Sequence, residues 1–215
     1  MMKAVIFDMD GVIFDTERVW QEAFIMVNEK YNVNLTEEWR KSICGKSEEL
    51  IRKELKEMMP NLDVDKYRDE KVAYVNDRVF NGYVPMKDGF LELVKKLKEK
   101  NYKILLATSS HRLRALTLFS HHNINIDEIF DGYVFGEDVK ERSKPDPYIF
   151  NLARSKVGLE ASECYVIEDS INGIEAATKG GFKPIMVIDL IEPNDYCKKN
   201  CFKIFNSLKE VLDII

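Results

Sequence analysis

Four short apolar runs, Ala4 to Phe7, Lys103 to Ala107, Cys164 to Ile167 and Ile185 to Ile188, constrain this chain more than any other feature. They are rich in Val and Ile and show no alternation of polar and apolar residues, so both faces of each run must be covered by protein. That is the pattern of central parallel strands. Tyr133 to Phe135 and Lys203 to Phe205 are weaker and are predicted as edge strands. Between the strong runs lie amphipathic helical patterns: Phe90, Leu91, Val94 and Leu97 behind a candidate N-cap at Asp88, then Leu113 to Phe119, then Ile149 to Ala153. Repeated alternation of strand and helix predicts an α/β fold with a doubly wound, Rossmann-like parallel sheet.

One interval breaks this rhythm. From the first run to the second, nearly the whole stretch lacks a buried-strand pattern and carries helical faces instead. Trp20, Ala23, Phe24, Val27 and Tyr31 form one, Leu50, Ile51, Leu55 and Met58 a second, and Tyr67, Tyr74 and Val75 a third. A helical domain inserted after strand one is expected over residues 15–82, with hinges at Asp15 and Pro85, on a core made of 1–14 and 83–215. The length of 215 residues suits one core domain with such an insertion.

The net charge is only −5. The Lys-rich stretch from Lys95 to Lys103 is interleaved with Leu97 and Glu99 at helical spacing, which describes a solvated helix face and implies no nucleic-acid partner. Cys44, Cys164, Cys197 and Cys201 contain no CxxC, and the apolar run that starts the sequence is too brief for a signal peptide; a reduced cytoplasm is the expected setting. Cys197 and Cys201 are expected as an incidental surface pair. The stretch from Ile185 to Ile191 is broken by Asp189 and falls far short of the roughly 20 residues that span a bilayer, so no membrane segment is expected.

In open parallel sheets, ligands bind beyond the carboxyl ends of the strands. Polar groups follow the runs there: Asp8-Met9-Asp10-Gly11, Thr108-Ser109-Ser110 and Glu168-Asp169-Ser170. Ser143-Lys144-Pro145-Asp146-Pro147 adds a fourth group before a helix whose first turn Pro145 would suit. Asp8 and Asp10 are two apart, and in extended backbone residues i and i+2 point to the same side, so both carboxylates are expected to face one site. Asp8, Asp10, Glu168 and Asp169 outweigh Lys144 by three charges, and such a cluster repels itself and any anionic substrate. Hard oxygen donors then call for Mg²⁺ as the metal held by Asp8, Asp10, Glu168 and Asp169. Thr108, Ser109, their N–H groups at a helix start and Lys144 form a cradle for a phosphoryl group. One carboxylate beside a bound phosphate can attack phosphorus, and a second can move the proton. Taken singly, each motif is an ordinary turn, N-cap or helix start; their joint placement is what points to chemistry.

In this order the motifs resemble those of the haloacid dehalogenase-like superfamily, over nearly the whole chain. The run Asp8-Met9-Asp10-Gly11-Val12-Ile13-Phe14-Asp15-Thr16-Glu17 is similar to its first motif, Thr108 to its second, Lys144 to its third and Glu168-Asp169 to its fourth. The β-phosphoglucomutase-like group resembles the chain most. The resemblance implies Asp8 as nucleophile, Asp10 as acid and base, Thr108 as phosphate ligand, Lys144 as charge stabiliser and Asp169 with Glu168 as metal ligand. It also implies a four-helix cap closing on a small phosphorylated metabolite, and a monomer. Where the mutase pattern has a cap histidine, this chain has Trp20, which cannot take a proton at neutral pH. The expected activity is therefore a Mg²⁺-dependent phosphomonoesterase acting through an aspartyl-phosphate. A hexose phosphomutase and a phospho-aspartate signalling receiver are the alternatives.

Other features carry less. Gly45-Lys46-Ser47 ends like a nucleotide-binding loop, but neither the earlier glycine nor a preceding buried strand is there. By the resemblance the same segment sits where a cap loop meets substrate, so Lys46 joins Trp20 as a candidate cap contact. His121-His122 read as a helix C-terminus, and Ser207-Leu208-Lys209-Glu210 as a capping box.

Overall fold

The computed structural model describes residues 3–42, 48–139 and 142–214. Its sheet contains β1 (Ala4–Phe7), β2 (Lys103–Ala107), β3 (Gly132–Val134), β4 (Cys164–Glu168), β5 (Lys183–Val187) and β6 (Lys203–Phe205). All are parallel, in the order β3-β2-β1-β4-β5-β6. Phe7 is in register with Leu106 on one side and Ile167 on the other. The two weak runs occupy the edges, where one unpaired side tolerates their poorer apolar character. β5 begins before the expected Ile185, at Lys183, and so includes Pro184, whose carbonyl accepts a bond from Phe202 N at 2.7 Å.

The helices cover both faces because their apolar stripes match the strands. Ile6, Leu105, Val166, Phe150 and Phe182 share one core layer. On the other face Phe7 meets Phe90 edge-on at 5.5 Å and Phe130 packs against Phe119 at 5.6 Å. Phe150 is fully buried, so its truncation to Ala would cost about 3–5 kcal/mol. The helix Phe90–Glu99 buries Leu93 rather than the expected Leu91, which is half exposed. Its N-cap is Gly89, not Asp88. Gly89 has φ +93° and a Cβ there would lie 2.7 Å from Lys209 N, so geometry and space both demand glycine. Asp88 is instead paired with Lys209 at 3.2 Å.

Two further expectations need correction. Cys197 is fully buried with Ile174 and Met186, and Cys201 packs against the same cluster, so the pair belongs to the core and not the surface. Burial pushes the Cys197 thiol up and that of Cys201 to about 12, which makes both poor nucleophiles. Ser207 makes no capping bond, and Glu210 accepts from Asn206 N at 3.4 Å. His122 does stand at the end of the helix Arg112–His121, its Nε2 lying 2.8 Å from Val84 O.

The chain separates into two compact units, Met1–Thr16 with Val84–Ile215, and Glu17–Tyr83. The first holds the sheet. Through the second run the helices Thr16–Tyr31, Glu37–Ser42, Glu48–Met58 and Val64–Phe80. Its core is Phe24, Val27, Leu35, Leu55, Val64 and Tyr67. Tyr67 OH donates to Asn28 Oδ1 at 2.7 Å, and Asn28 Nδ2 donates to Leu35 O at 3.0 Å, which satisfies the polar atoms this core encloses. Tyr74 points to Glu22 at 3.1 Å, and Met58 is half exposed, so neither joins the buried face expected for it.

The two passages that join the units run side by side within the first. Phe14 and Met86 form an antiparallel bridge, flanked by Asp15 N to Pro85 O at 2.9 Å and Lys87 N to Ile13 O at 2.8 Å. Lys87 Nζ reaches Asp189 at 2.5 Å and Asp15 at 3.4 Å. No helix among the described residues is long and apolar enough to cross a membrane.

Candidate active site

The chain winds outward from β1 in one direction through β2 and β3, and from β4 in the other through β5 and β6. The crevice beyond the carboxyl ends of β1 and β4 is thus the switch point where ligands bind in such sheets. Asp8 leaves β1 there, its N–H still paired to Ile167 O at 3.0 Å. Glu168 ends β4, Asp169 follows it, and Thr108 leaves β2 with its N–H on Val134 O at 3.0 Å. All four side chains are buried.

Lys144 ties this crevice together. Its Nζ donates to Asp8 Oδ1 and Glu168 Oε1, both at 2.5 Å. Glu168 Oε2 accepts from Asp169 N, Ser170 N and Ser170 Oγ at 3.1, 2.9 and 2.8 Å. Oε1 of Glu168 thus holds Lys144 while Oε2 is fixed by the start of the following loop. Ser170 Oγ also accepts from Gly173 N at 3.0 Å and so caps the helix Ile171–Lys179. A Cβ on Gly173 would fall 1.9 Å from the Glu168 carboxyl carbon, so this glycine clears the space Glu168 fills.

Burial pushes the Asp8 carboxyl well above the ordinary carboxylate range; Lys144 pulls it down, while Glu168 and Asp10 push it further up. Burial works against the charge on Lys144, but Asp8 and Glu168 more than offset this and hold the ammonium up. One cation shared by two buried carboxylates leaves excess negative charge. The loop is stiffened nearby, where Arg142 pairs with Asp146 at 3.1 Å and lies 4.1 Å from the Tyr148 ring centroid. Asp146 Oδ1 accepts from Tyr148 N at 2.8 Å. The helix Tyr148–Ser155 has Pro147 as its N-cap, so Pro145 precedes the helix instead of lying in its first turn.

Past Asp10 the chain turns, with Gly11 at φ +74° and Ile13 N bonded to Met9 O at 2.8 Å. Asp10 Oδ2 accepts from Ser110 Oγ at 2.7 Å, with Thr108 Oγ1 at 3.5 Å, and Oδ1 accepts from Arg114 at 3.3 Å. Thr108 Oγ1 in turn accepts from Ser110 N at 3.0 Å. The following helix begins only at Arg112, capped by the carboxylate of Glu137 at 3.1 Å, so Thr108 and the exposed Ser109 precede it as a turn. Ser110 and Arg114 were not singled out from sequence. Arg114 had a signal: with Arg112 it places two cations in the first turn of a helix, against the dipole preference, and such a cation calls for an acid elsewhere in the fold.

Among the described residues, Asp8, Glu168 and Asp169 form a group that could hold a metal, with one carboxylate oxygen of each within 4.8 Å of the others. Asp10, the fourth carboxylate expected from sequence, is not in this group, and its oxygens accept from Ser110 and Arg114. The donors are all oxygen and the charge is in excess, which fits a hard divalent cation. Glu168 is the poorest candidate for direct contact, both its oxygens being taken. A Cβ on Gly11 would fall 2.2 Å from Asp169 Oδ2, so the turn after β1 has to be glycine for Asp169 to lie where it does. Trp20 lies on the helix Thr16–Tyr31 with Lys71 Nζ 5.8 Å from its ring centroid. Lys46 lies outside the described residues.

A family model described as haloacid dehalogenase-like hydrolase matches residues 2–181. A Thermotoga maritima protein named "Phosphorylated carbohydrates phosphatase" is 33% identical over 222 residues, covering 98% of this chain and 100% of that protein. A Drosophila melanogaster protein named "Probable pseudouridine-5'-phosphatase" is 30% identical over 189 residues, covering 86% of this chain and 80% of that one. Among solved structures, a HAD hydrolase of family IA, variant 3, from Entamoeba histolytica superposes with a TM-score of 0.76 at 26% identity, covering 97% of this chain and 95% of that one.

Proposed function

Because the chain belongs to the haloacid dehalogenase-like hydrolase family, we propose that it is a phosphatase that cleaves a small phosphomonoester, a phosphorylated carbohydrate or a nucleotide, through an aspartyl-phosphate on Asp8. The observation that carries this reading is the fixing of Asp8 by Lys144 beside Glu168 and Asp169, with a second carboxylate, Asp10, turned toward the Thr108 hydroxyl.

Lys144 occupies Oδ1 of Asp8, and Oδ2 is the oxygen left to attack phosphorus. As the Asp8 O–P bond forms, the bond from phosphorus to the ester oxygen breaks, and Asp10 gives that oxygen a proton. The alcohol leaves. Asp10 then takes a proton from water, whose oxygen attacks the phosphorus of the aspartyl-phosphate and releases phosphate, restoring the Asp8 carboxylate and the protonated Asp10. Thr108 and Lys144 donate to the phosphoryl oxygens as their charge develops. Mg²⁺, held by Asp8 and Asp169, would offset the carboxylate charge and polarise the phosphoryl group. Trp20 supplies no base for a sugar hydroxyl, so water is the acceptor.

The test is a panel of sugar phosphates and nucleotides with Mg²⁺, read as phosphate release. Multiple-turnover release from at least one of them is expected. Turnover of β-glucose 1-phosphate to glucose 6-phosphate in the presence of the 1,6-bisphosphate, with no release of phosphate, would replace hydrolysis by isomerisation.

A further inference from the structure

We propose that Arg114 is a positioning residue that fixes which oxygen of Asp10 carries the proton; the proposal rests on the acid and base role given to Asp10 above. Arg114 is a long, mobile side chain in most settings, yet here it is only 14% exposed and its guanidinium meets Asp10 Oδ1 at 3.3 Å. Among the described residues the other oxygen, Oδ2, is held by hydroxyls alone: Ser110 Oγ at 2.7 Å and Thr108 Oγ1 at 3.5 Å. The two sides of the carboxylate therefore differ in kind. A guanidinium is planar, permanently charged and cannot accept a bond, so Oδ1 is anchored and cannot hand a proton to it. A hydroxyl donates or accepts by rotating, so Oδ2 is released as soon as Ser110 and Thr108 turn to an incoming phosphoryl group. Arg114 thus holds Oδ2, the oxygen beside Thr108, toward the ester oxygen that needs the proton. Its place in the first turn of the helix Arg112–His121, where no acidic residue accompanies it, gives the helix itself no use for the charge.

Two esters with leaving groups of different basicity separate this role from general damage. In a reaction that passes through a covalent intermediate, kcat/KM reports the steps up to departure of the first product. Phenyl phosphate needs its leaving oxygen protonated much more than p-nitrophenyl phosphate does. With Mg²⁺ present, Arg114→Met is expected to lower kcat/KM for phenyl phosphate by roughly 10- to 100-fold, as a misplaced general acid should. For p-nitrophenyl phosphate the loss is expected to stay below about threefold. Added to Asp10→Asn, the same substitution should cost nothing more, because the effect runs through Asp10. Arg114→Lys keeps a cation within reach and should recover part of the loss, and it serves alone if the Met variant does not fold.

Equal losses on both esters, an undiminished loss in the Asp10→Asn background, or a raised KM with kcat kept would each overturn the proposal, the last by making Arg114 a substrate ligand. A wild-type protein that releases phosphate from neither ester, nor from any of the metabolite panel, removes the phosphatase reading and the proposal with it.

Discussion

Asp8 and Asp10 stand two residues apart, yet their carboxylates bind different partners: Asp8 Oδ1 accepts from Lys144 at 2.5 Å, and Asp10 Oδ2 accepts from Ser110 at 2.7 Å. Substitutions at the two should therefore fail differently. Asp8→Asn keeps shape but removes the proposed nucleophile, and no turnover is expected by phosphate release while the melting temperature is retained. Asp10→Asn should slow turnover by ~10²–10⁴, the range of general acid–base catalysis. A loss below tenfold there assigns the proton to another group.

Stability of the metal-free protein should depend on pH through Asp8. Its folded pKa lies above the unfolded value, so its contribution is fully present below the ordinary carboxylate pKa of about 4 and is lost as pH rises toward the raised one. In EDTA, the melting temperature is expected to fall between weakly acidic and weakly basic pH, and less so in Asp8→Asn. A melting curve indifferent to pH in wild type and variant alike would show that the crowded carboxylates carry no such penalty.

The same excess charge predicts that chelation abolishes activity and Mg²⁺ restores it. Asp169→Ala should shift the Mg²⁺ titration of activity to higher concentration, whereas Glu168, bound through both oxygens by Lys144, Asp169 N and Ser170, acts chiefly on Lys144. An unmoved titration in Asp169→Ala places the cation elsewhere.

Lys144→Met removes the cation that two buried carboxylates share. Breaking a buried pair from one side costs about 3–5 kcal/mol, and the loss should be partly recovered at low pH, where Asp8 takes up a proton instead. Urea unfolding at two pH values measures both.

Gly173→Ala inverts a common rule. In a helix interior that exchange ordinarily gains up to about 1 kcal/mol, but here the new methyl would enter the Glu168 carboxylate. Destabilisation, together with loss of activity through Lys144, is expected; a stabilised and active variant would mean that Glu168 moves aside freely.

The strands of the sheet were legible because burial on both faces writes the same apolar run whatever packs against it, as in Ala4–Phe7 and Cys164–Ile167. Each polar group at their carboxyl ends was legible for the same reason, since a strand's end is fixed by its run. What could not be read was which distant side chains meet. Asp10 accepts from Ser110 beyond β2, and Arg114 reaches it from a helix a hundred residues away. Asp88 looked like a cap because Asp is favoured there, but the space beside Lys209 admits only Gly89. Cys197 and Cys201, four apart among lysines, gave no hint of the Ile174 and Met186 they meet.

The bridge between Phe14 and Met86 has a genealogical meaning. Where a polypeptide leaves and re-enters at hydrogen-bonded neighbours, everything in between is a detour that the sheet does not register. A short turn could close Asp15 onto Pro85, whose backbones already touch at 2.9 Å, without altering one strand pairing. Residues Glu17–Tyr83 can thus be gained, lost or exchanged as a cassette while every strand pairing of the sheet stays as it is.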